Sequence, residues 1–190
     1  MLENDAASTP IRPLEAQHRG ARVIVIMGVS GSGKTVVGHG LADSLGWTYR
    51  DADDLHPPEN VARMRAGIPL TDADRGPWLA TLGRLVGAAI AADGPGLVLA
   101  CSALRRDYRN RLHVGDPRVR LVYLTGRTDL IRRRLEARTG HYMPASLLES
   151  QLATLEPPDP DEHPIVIDVS ETPEALVGRI LAALDQPAAP

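Results

Sequence analysis

The chain reads as an α/β fold, a parallel sheet with helices on both faces. Short apolar runs alternate with longer stretches of helical period over most of its 190 residues, the pattern that crossover helices between parallel strands produce. The first run, Arg22-Val23-Ile24-Val25-Ile26-Met27, is continuously apolar after its first residue, as suits a strand buried on both faces. It leads directly into Gly28-Val29-Ser30-Gly31-Ser32-Gly33-Lys34-Thr35. That segment satisfies the phosphate-loop pattern G-x-x-x-x-G-K-[ST] at every fixed position.

The elements follow in order. Val37, Leu41 and Leu45 recur at four-residue spacing and predict a helix from about Gly33 to Leu45, with Gly46 as its left-handed stop. A second strand is expected at Trp47 to Arg50, ending in an acidic turn, and a helix over about Pro57 to Ala66. A longer helix is expected from Gly76 to Ala92, then a buried strand over Gly96 to Cys101 and a helix from Leu104 to Arg111. The fourth strand falls at Val119 to Thr125 and the fifth at Pro164 to Val169. Between those two lie helices at about Asp129 to Arg138 and Pro144 to Leu155, and Pro173 to Leu184 forms the last. On such a sheet, ligands bind beyond the carboxyl ends of the strands.

Composition narrows the setting. With 43% apolar residues and 190 positions, the chain can bury one good core and is expected to form a single domain over residues 21–185. Residues 1–20 and 186–190 are expected to be flexible extensions. No run approaches a membrane span, and the first twenty residues lack the apolar centre of a secretion signal. The single cysteine, Cys101, cannot form an internal disulfide, which suits a reducing cytoplasm. A net charge of −3 without a broad basic face argues against a nucleic-acid partner.

Lys34 is the only lysine; the other basic side chains are all arginine. A phosphate loop needs a compact ammonium among its backbone amides, where a wide planar guanidinium would not fit. The loop amides of Gly28 to Thr35 and the following helix N-terminus are suited to a nucleotide's phosphates, and the Thr35 hydroxyl to Mg²⁺. The second strand ends in Asp51-Ala52-Asp53-Asp54-Leu55-His56-Pro57. In an extended segment Asp51 and Asp53 would point the same way. One carboxylate could serve a metal and the other accept a proton from an attacking hydroxyl. An ordinary acidic turn capping the next helix would use the same residues.

Beyond these motifs, several segments closely resemble the gluconokinase family. They are Asp51 to Pro57, with Asn60, Met64 and Gly67; Pro69-Leu70-Thr71-Asp72-Ala73-Asp74-Arg75-Gly76-Pro77-Trp78-Leu79; Cys101-Ser102-Ala103-Leu104-Arg105-Arg106-Asp107-Tyr108-Arg109; Arg138-Thr139-Gly140-His141-Tyr142-Met143-Pro144; and Leu148 to Glu156. The likeness runs in order from about Val23 to Leu184. It departs at Ala52, where glycine is common, at Arg105, where lysine is usual, and at Tyr142 and Leu152, which replace phenylalanines.

The resemblance implies a three-layer ATP-dependent kinase of the nucleoside-monophosphate-kinase type, with a mobile lid over about 132–145, that phosphorylates the 6-hydroxyl of D-gluconate. It further implies that Lys34 and the loop hold ATP, that Thr35 and Asp51 serve Mg²⁺, and that Asp53 orients and deprotonates the hydroxyl. A polyol carboxylate needs a cation and hydrogen-bonding side chains. Arg75 is the first candidate for the carboxylate, with Arg105 as second, His56, Ser102 and His141 as polar partners, and Trp78 as a wall or a core residue. Arg134 and Arg138 lie four apart and would neutralise transition-state charge from the lid. A homodimer is implied as well. Two other readings use the same loop: a kinase for a different small hydroxylated acceptor such as shikimate, and a nucleotide-binding regulatory module.

Overall fold

The computed structural model describes residues 20–137 and 146–186. Five strands, β1 (Val23–Met27), β2 (Thr48–Asp51), β3 (Leu97–Ala100), β4 (Val119–Thr125) and β5 (Ile165–Asp168), form one sheet in the order β2-β3-β1-β4-β5. Every adjacent pair is parallel. The helices are α1 (Lys34–Leu45), α2 (Pro58–Arg65), α3 (Asp72–Ala91), α4 (Arg106–Arg111), α5 (Thr128–Glu136), α6 (Ser146–Thr154) and α7 (Pro173–Leu184). The expected alternation is therefore present throughout the described residues.

The sheet separates two apolar cores, and the strand period explains the continuous apolar runs. Successive side chains of β1 point to opposite faces. Ile24 and Ile26 join Val98, Val122 and Leu124 against α1, α5 and α7. Val23, Val25 and Met27 join Leu97, Leu99 and Leu121 against α3 and α4. With both faces covered, no polar alternation survives in the central strands. At the edge strand β5, Ile167 is buried but Val166 is exposed.

Helix α3 begins four residues earlier than its Gly-Pro sequence suggests. Thr71 Oγ1 accepts the Asp74 N–H at 3.2 Å, while the Asp74 carboxylate accepts the Thr71 N–H at 2.7 Å. This reciprocal cap starts the helix at Asp72. Pro77 then sits within the first two turns, where its missing N–H removes only one helical bond. The earlier start puts Arg75 on the helix rather than ahead of it, one turn before Trp78. Among the described residues, no helix is long and apolar enough to cross a membrane.

Candidate active site

The carboxyl ends of β1, β2 and β3 deliver the loop, the acidic turn and Ser102 to one end of the sheet. Close packing shapes the loop. A Cβ on Gly28 would lie 2.6 Å from the Leu124 carbonyl oxygen and 2.8 Å from Ser32 Oγ, and Gly28 also has a positive φ of 143°. Gly33 caps α1 in the left-handed region at φ 95°, a conformation costly for any other residue. Lys34 Nζ donates to the carbonyls of Gly28 (3.0 Å) and Val29 (3.2 Å), so the ammonium lies folded over the loop. The Ser32 hydroxyl is fully buried without a protein hydrogen-bond partner. A glycine-lined cradle, a held ammonium and an orphaned hydroxyl fit a phosphate chain.

The two aspartates reach this cradle by a route other than strand alternation. The strand ends at Asp51, and Ala52–Leu55 forms a 3-10 turn. Asp51 caps that turn: its Oδ1 accepts the Asp53 N–H at 3.0 Å, while its Oδ2 accepts the hydroxyls of Tyr49 (3.1 Å) and Thr35 (3.3 Å). Asp51 thus caps this turn rather than the next helix, whose N-cap Pro57 makes no side-chain cap bond, and it faces the cleft as well. Asp51, Asp53, Thr35, Lys34 and Arg134 line a single cleft beside the loop. The pairing of Thr35 with Asp51 is an oxygen donor set suited to a hard divalent cation.

A second cavity adjoins the first and is lined by Asp53, His56, Arg75, Trp78, Ser102 and Tyr108, among others. Ser30, Lys34 and Asp53 line both cavities. Trp78 is core and wall at once: it is buried, and its Nε1 donates to the Ala52 carbonyl at 2.8 Å. His56 stacks on its ring, with centroids 4.1 Å apart. Burial, reinforced by the nearby Arg75 charge, lowers the His56 pKa to about 4. The ring is therefore neutral near pH 7 and can both donate and accept a hydrogen bond.

Of the two candidate arginines, only Arg75 is brought to the cavity wall. Its guanidinium donates to the Tyr108 hydroxyl at 3.3 Å and lies 3.6 Å from Asp72. Arg105 pairs with Asp72 at 2.8 Å and with Glu156 at 3.3 Å on the more exposed side. Both guanidiniums approach the Tyr108 ring, each 5.6 Å from its centroid. The Tyr108 hydroxyl also bonds Asp72 and, ahead of the two arginines, holds that carboxyl below its usual range. Arg132 and Arg133 point to solvent and pair with Glu149 and Asp129, whereas Arg134 turns toward the phosphate cleft. Arg138, His141 and the rest of the expected lid beyond residue 137 lie outside the described residues. Cys101 is packed in the core, and burial pushes its thiol up to about 12.

Several residues shape the site through partners that no local spacing in the sequence reveals. Tyr49 supports Asp51 from inside β2, and Tyr108 reaches Arg75 from a helix thirty-three residues away. Gln151 on α6 accepts the Ser30 N–H at 2.6 Å. Arg109 is wholly buried; it pairs bidentately with Glu162 at 2.6 and 2.9 Å and donates to the carbonyls of Ala103 and Glu156. That network ties down the Ser102–Leu104 loop, in which Ala103 has a positive φ of 45°. An arginine in the middle of a short helix gives no hint of burial by itself.

Known proteins are similar in both sequence and fold. Residues 23–158 match the AAA_33 model, described as an AAA domain. A gluconokinase from Gluconobacter oxydans is 48% identical over 160 residues, spanning 84% of this chain and 89% of the relative. The crystal structure of a sugar kinase from Janibacter sp. HTCC2649 superposes with a TM-score of 0.81 at 50% identity, covering 87% of this chain and 95% of the other. That of a gluconokinase from Sinorhizobium meliloti 1021 gives 0.75 at 44% identity, covering 85% and 90%. With such identity over nearly the full length of these relatives, this chain belongs to the gluconokinase family.

Proposed function

We propose that the chain catalyses ATP-dependent phosphorylation of D-gluconate at its 6-hydroxyl, yielding ADP, 6-phospho-D-gluconate and a proton. One observation carries this reading: Ser30, Lys34 and Asp53 line both the phosphate cleft and the polar cavity beside it. A kinase needs one point where a phosphoryl group and an acceptor hydroxyl meet with a base between them.

In this reading Asp53 orients the hydroxyl and takes its proton. Lys34, the loop amides of residues 28–35 and Arg134 offset charge on the transferring group, with Arg138 contributing from beyond the described residues. Thr35 and Asp51 would hold Mg²⁺, which when bound screens phosphate charge. Arg75 takes the carboxylate in a bidentate pair. Neutral His56 and Ser102 bond the hydroxyls, Trp78 fixes the His56 ring, and His141 remains a candidate partner. Arg105 acts at the rim, through Asp72. We further propose a homodimer in a reducing cytoplasm; the buried free Cys101 is consistent with that compartment.

The test is ATP- and Mg²⁺-dependent turnover with D-gluconate, read through an enzyme that oxidises 6-phosphogluconate, with shikimate and AMP run in parallel for ADP release. Turnover with gluconate alone is expected. ADP release with another acceptor instead would overturn the acceptor-site reading, and tight ATP binding with no turnover at all would favour the regulatory module.

A further inference from the structure

The two cavities share a seam at Ser30, Lys34 and Asp53, and one side chain reaches that seam from the acceptor side. Gln151 lines the acceptor cavity, and its Oε1 accepts the Ser30 backbone N–H at 2.6 Å. Ser30 belongs to the phosphate loop, whose amides are the groups an anionic oxygen recruits. One N–H cannot donate a full, linear hydrogen bond to a carboxamide and to a phosphoryl oxygen at the same time. The carboxamide is also amphoteric, so once turned from Ser30 it can accept from or donate to a polyol hydroxyl.

We propose that Gln151 couples the two substrates. Its carboxamide holds the Ser30 N–H. Nucleotide phosphate takes that donor, and the released carboxamide turns to the hydroxyls of the acceptor. Gln151 is thus a positioning residue for the loop and, after the exchange, a contact for the sugar acid. The inference rests on reading the adjoining cavity as the gluconate site. Reciprocity follows: gluconate must tighten nucleotide binding by the same factor as nucleotide tightens gluconate binding.

The exchange gives effects of opposite sign, which a scaffolding role would not. Gln151→Met keeps the side chain's length but cannot accept the N–H. It is expected to bind a non-hydrolysable ATP analogue with Mg²⁺ roughly 2- to 10-fold more tightly, the worth of one hydrogen bond. It should also bind gluconate, in the presence of that analogue, weaker by a similar factor. Gln151→Glu keeps the acceptor and adds a negative charge, so it should weaken the analogue. Calorimetry reads the nucleotide, fluorescence of the cavity-lining Trp78 reads gluconate, and melting temperature checks folding. Gln151→Met that weakens both ligands, or leaves both unchanged, overturns the coupling. Wild-type protein that binds the analogue but not gluconate would instead overturn the acceptor assignment, while the nucleotide arm still reports on the exchange at Ser30.

Discussion

The ring of Tyr49 lies so close over Gly38 that a Cβ on that glycine would come within 2.5 Å of Tyr49 Cε2. This contact lets α1 and β2 approach, so that the Tyr49 hydroxyl reaches Asp51 at 3.1 Å. An aromatic ring cannot yield as a flexible chain end would. Gly38→Ala should therefore displace the ring and loosen Asp51, and Tyr49→Phe should remove the bond without the clash. Both variants are expected to raise the Mg²⁺ concentration for half-maximal activity by roughly 10-fold, in line with the support a ligand's hydrogen-bond partner provides. The KM for gluconate should stay near wild type. An unchanged Mg²⁺ requirement in both would remove Asp51 from the metal role.

Asp53 belongs to both cavities, so its carboxylate is the group whose loss should affect chemistry rather than binding. Asp53→Asn is expected to lower kcat by roughly 10²- to 10⁴-fold while calorimetry still finds ATP bound. Turnover near the wild-type rate would remove Asp53 as the base.

Arg75 and Arg105 share Asp72 and Tyr108 but face different surroundings. Arg75→Ala should raise the KM for gluconate by roughly 10- to 100-fold, the worth of charge-assisted hydrogen bonds. Arg75→Lys should recover only part, since an ammonium cannot form the bidentate fork. Arg105→Ala removes a half-exposed ion pair and should shift KM by less than about threefold. Steady-state kinetics on the three variants decides between the arginines, and the reverse order would move the carboxylate to Arg105.

His56 should stay neutral well below the ordinary histidine range. Its pKa in the folded protein is about 4, against 6.5 for a free side chain. As pH falls from 6.5 toward 4, the unfolded chain takes up a proton that the folded protein refuses, so His56 disfavours the folded state increasingly over that window. Below about 4 both states are protonated and the effect levels off. A ¹⁵N–¹H titration following the His56 ring should show its midpoint near 4, and a midpoint near 6.5 would mean that the ring is solvated rather than stacked under Trp78. His56→Gln should flatten the fall in stability between those pH values.

The Arg109–Glu162 pair lies inside the protein, with its arginine at 0% and its glutamate at 5% side-chain exposure. Arg109→Met would leave the buried Glu162 carboxylate with the Asp159 N–H but without its paired guanidinium, and should cost about 3–5 kcal/mol in unfolding free energy. Combining it with Glu162→Leu should recover much of that stability, because the uncompensated charge is gone. The double variant should nevertheless have a raised KM for gluconate, since Ala103 and the Ser102 loop lose their anchor. Denaturant unfolding and steady-state kinetics on the single and double variants separate stability from positioning.

Features set by neighbouring residues are legible in the sequence by itself. The phosphate loop must be contiguous because consecutive backbone amides wrap one anion, and the central strands must read as unbroken apolar runs because both faces are covered. The family-like segments around Asp53, His56 and Arg75 likewise sit close together in the chain, and they carry the acceptor-side reading. Strand alternation is the wrong reason for pairing Asp51 with Asp53, since the strand stops at Asp51 and a capped 3-10 turn brings Asp53 round.

Only the tertiary structure decided what depends on distant segments meeting. Gln151 reaches Ser30 across 121 positions, and Arg109 meets Glu162 across 53. Which of two nearby arginines faces the cavity was likewise set by the fold. A hydrogen bond between remote residues leaves no period and no spacing in the chain, because chain folding, not local geometry, sets the distance between its partners.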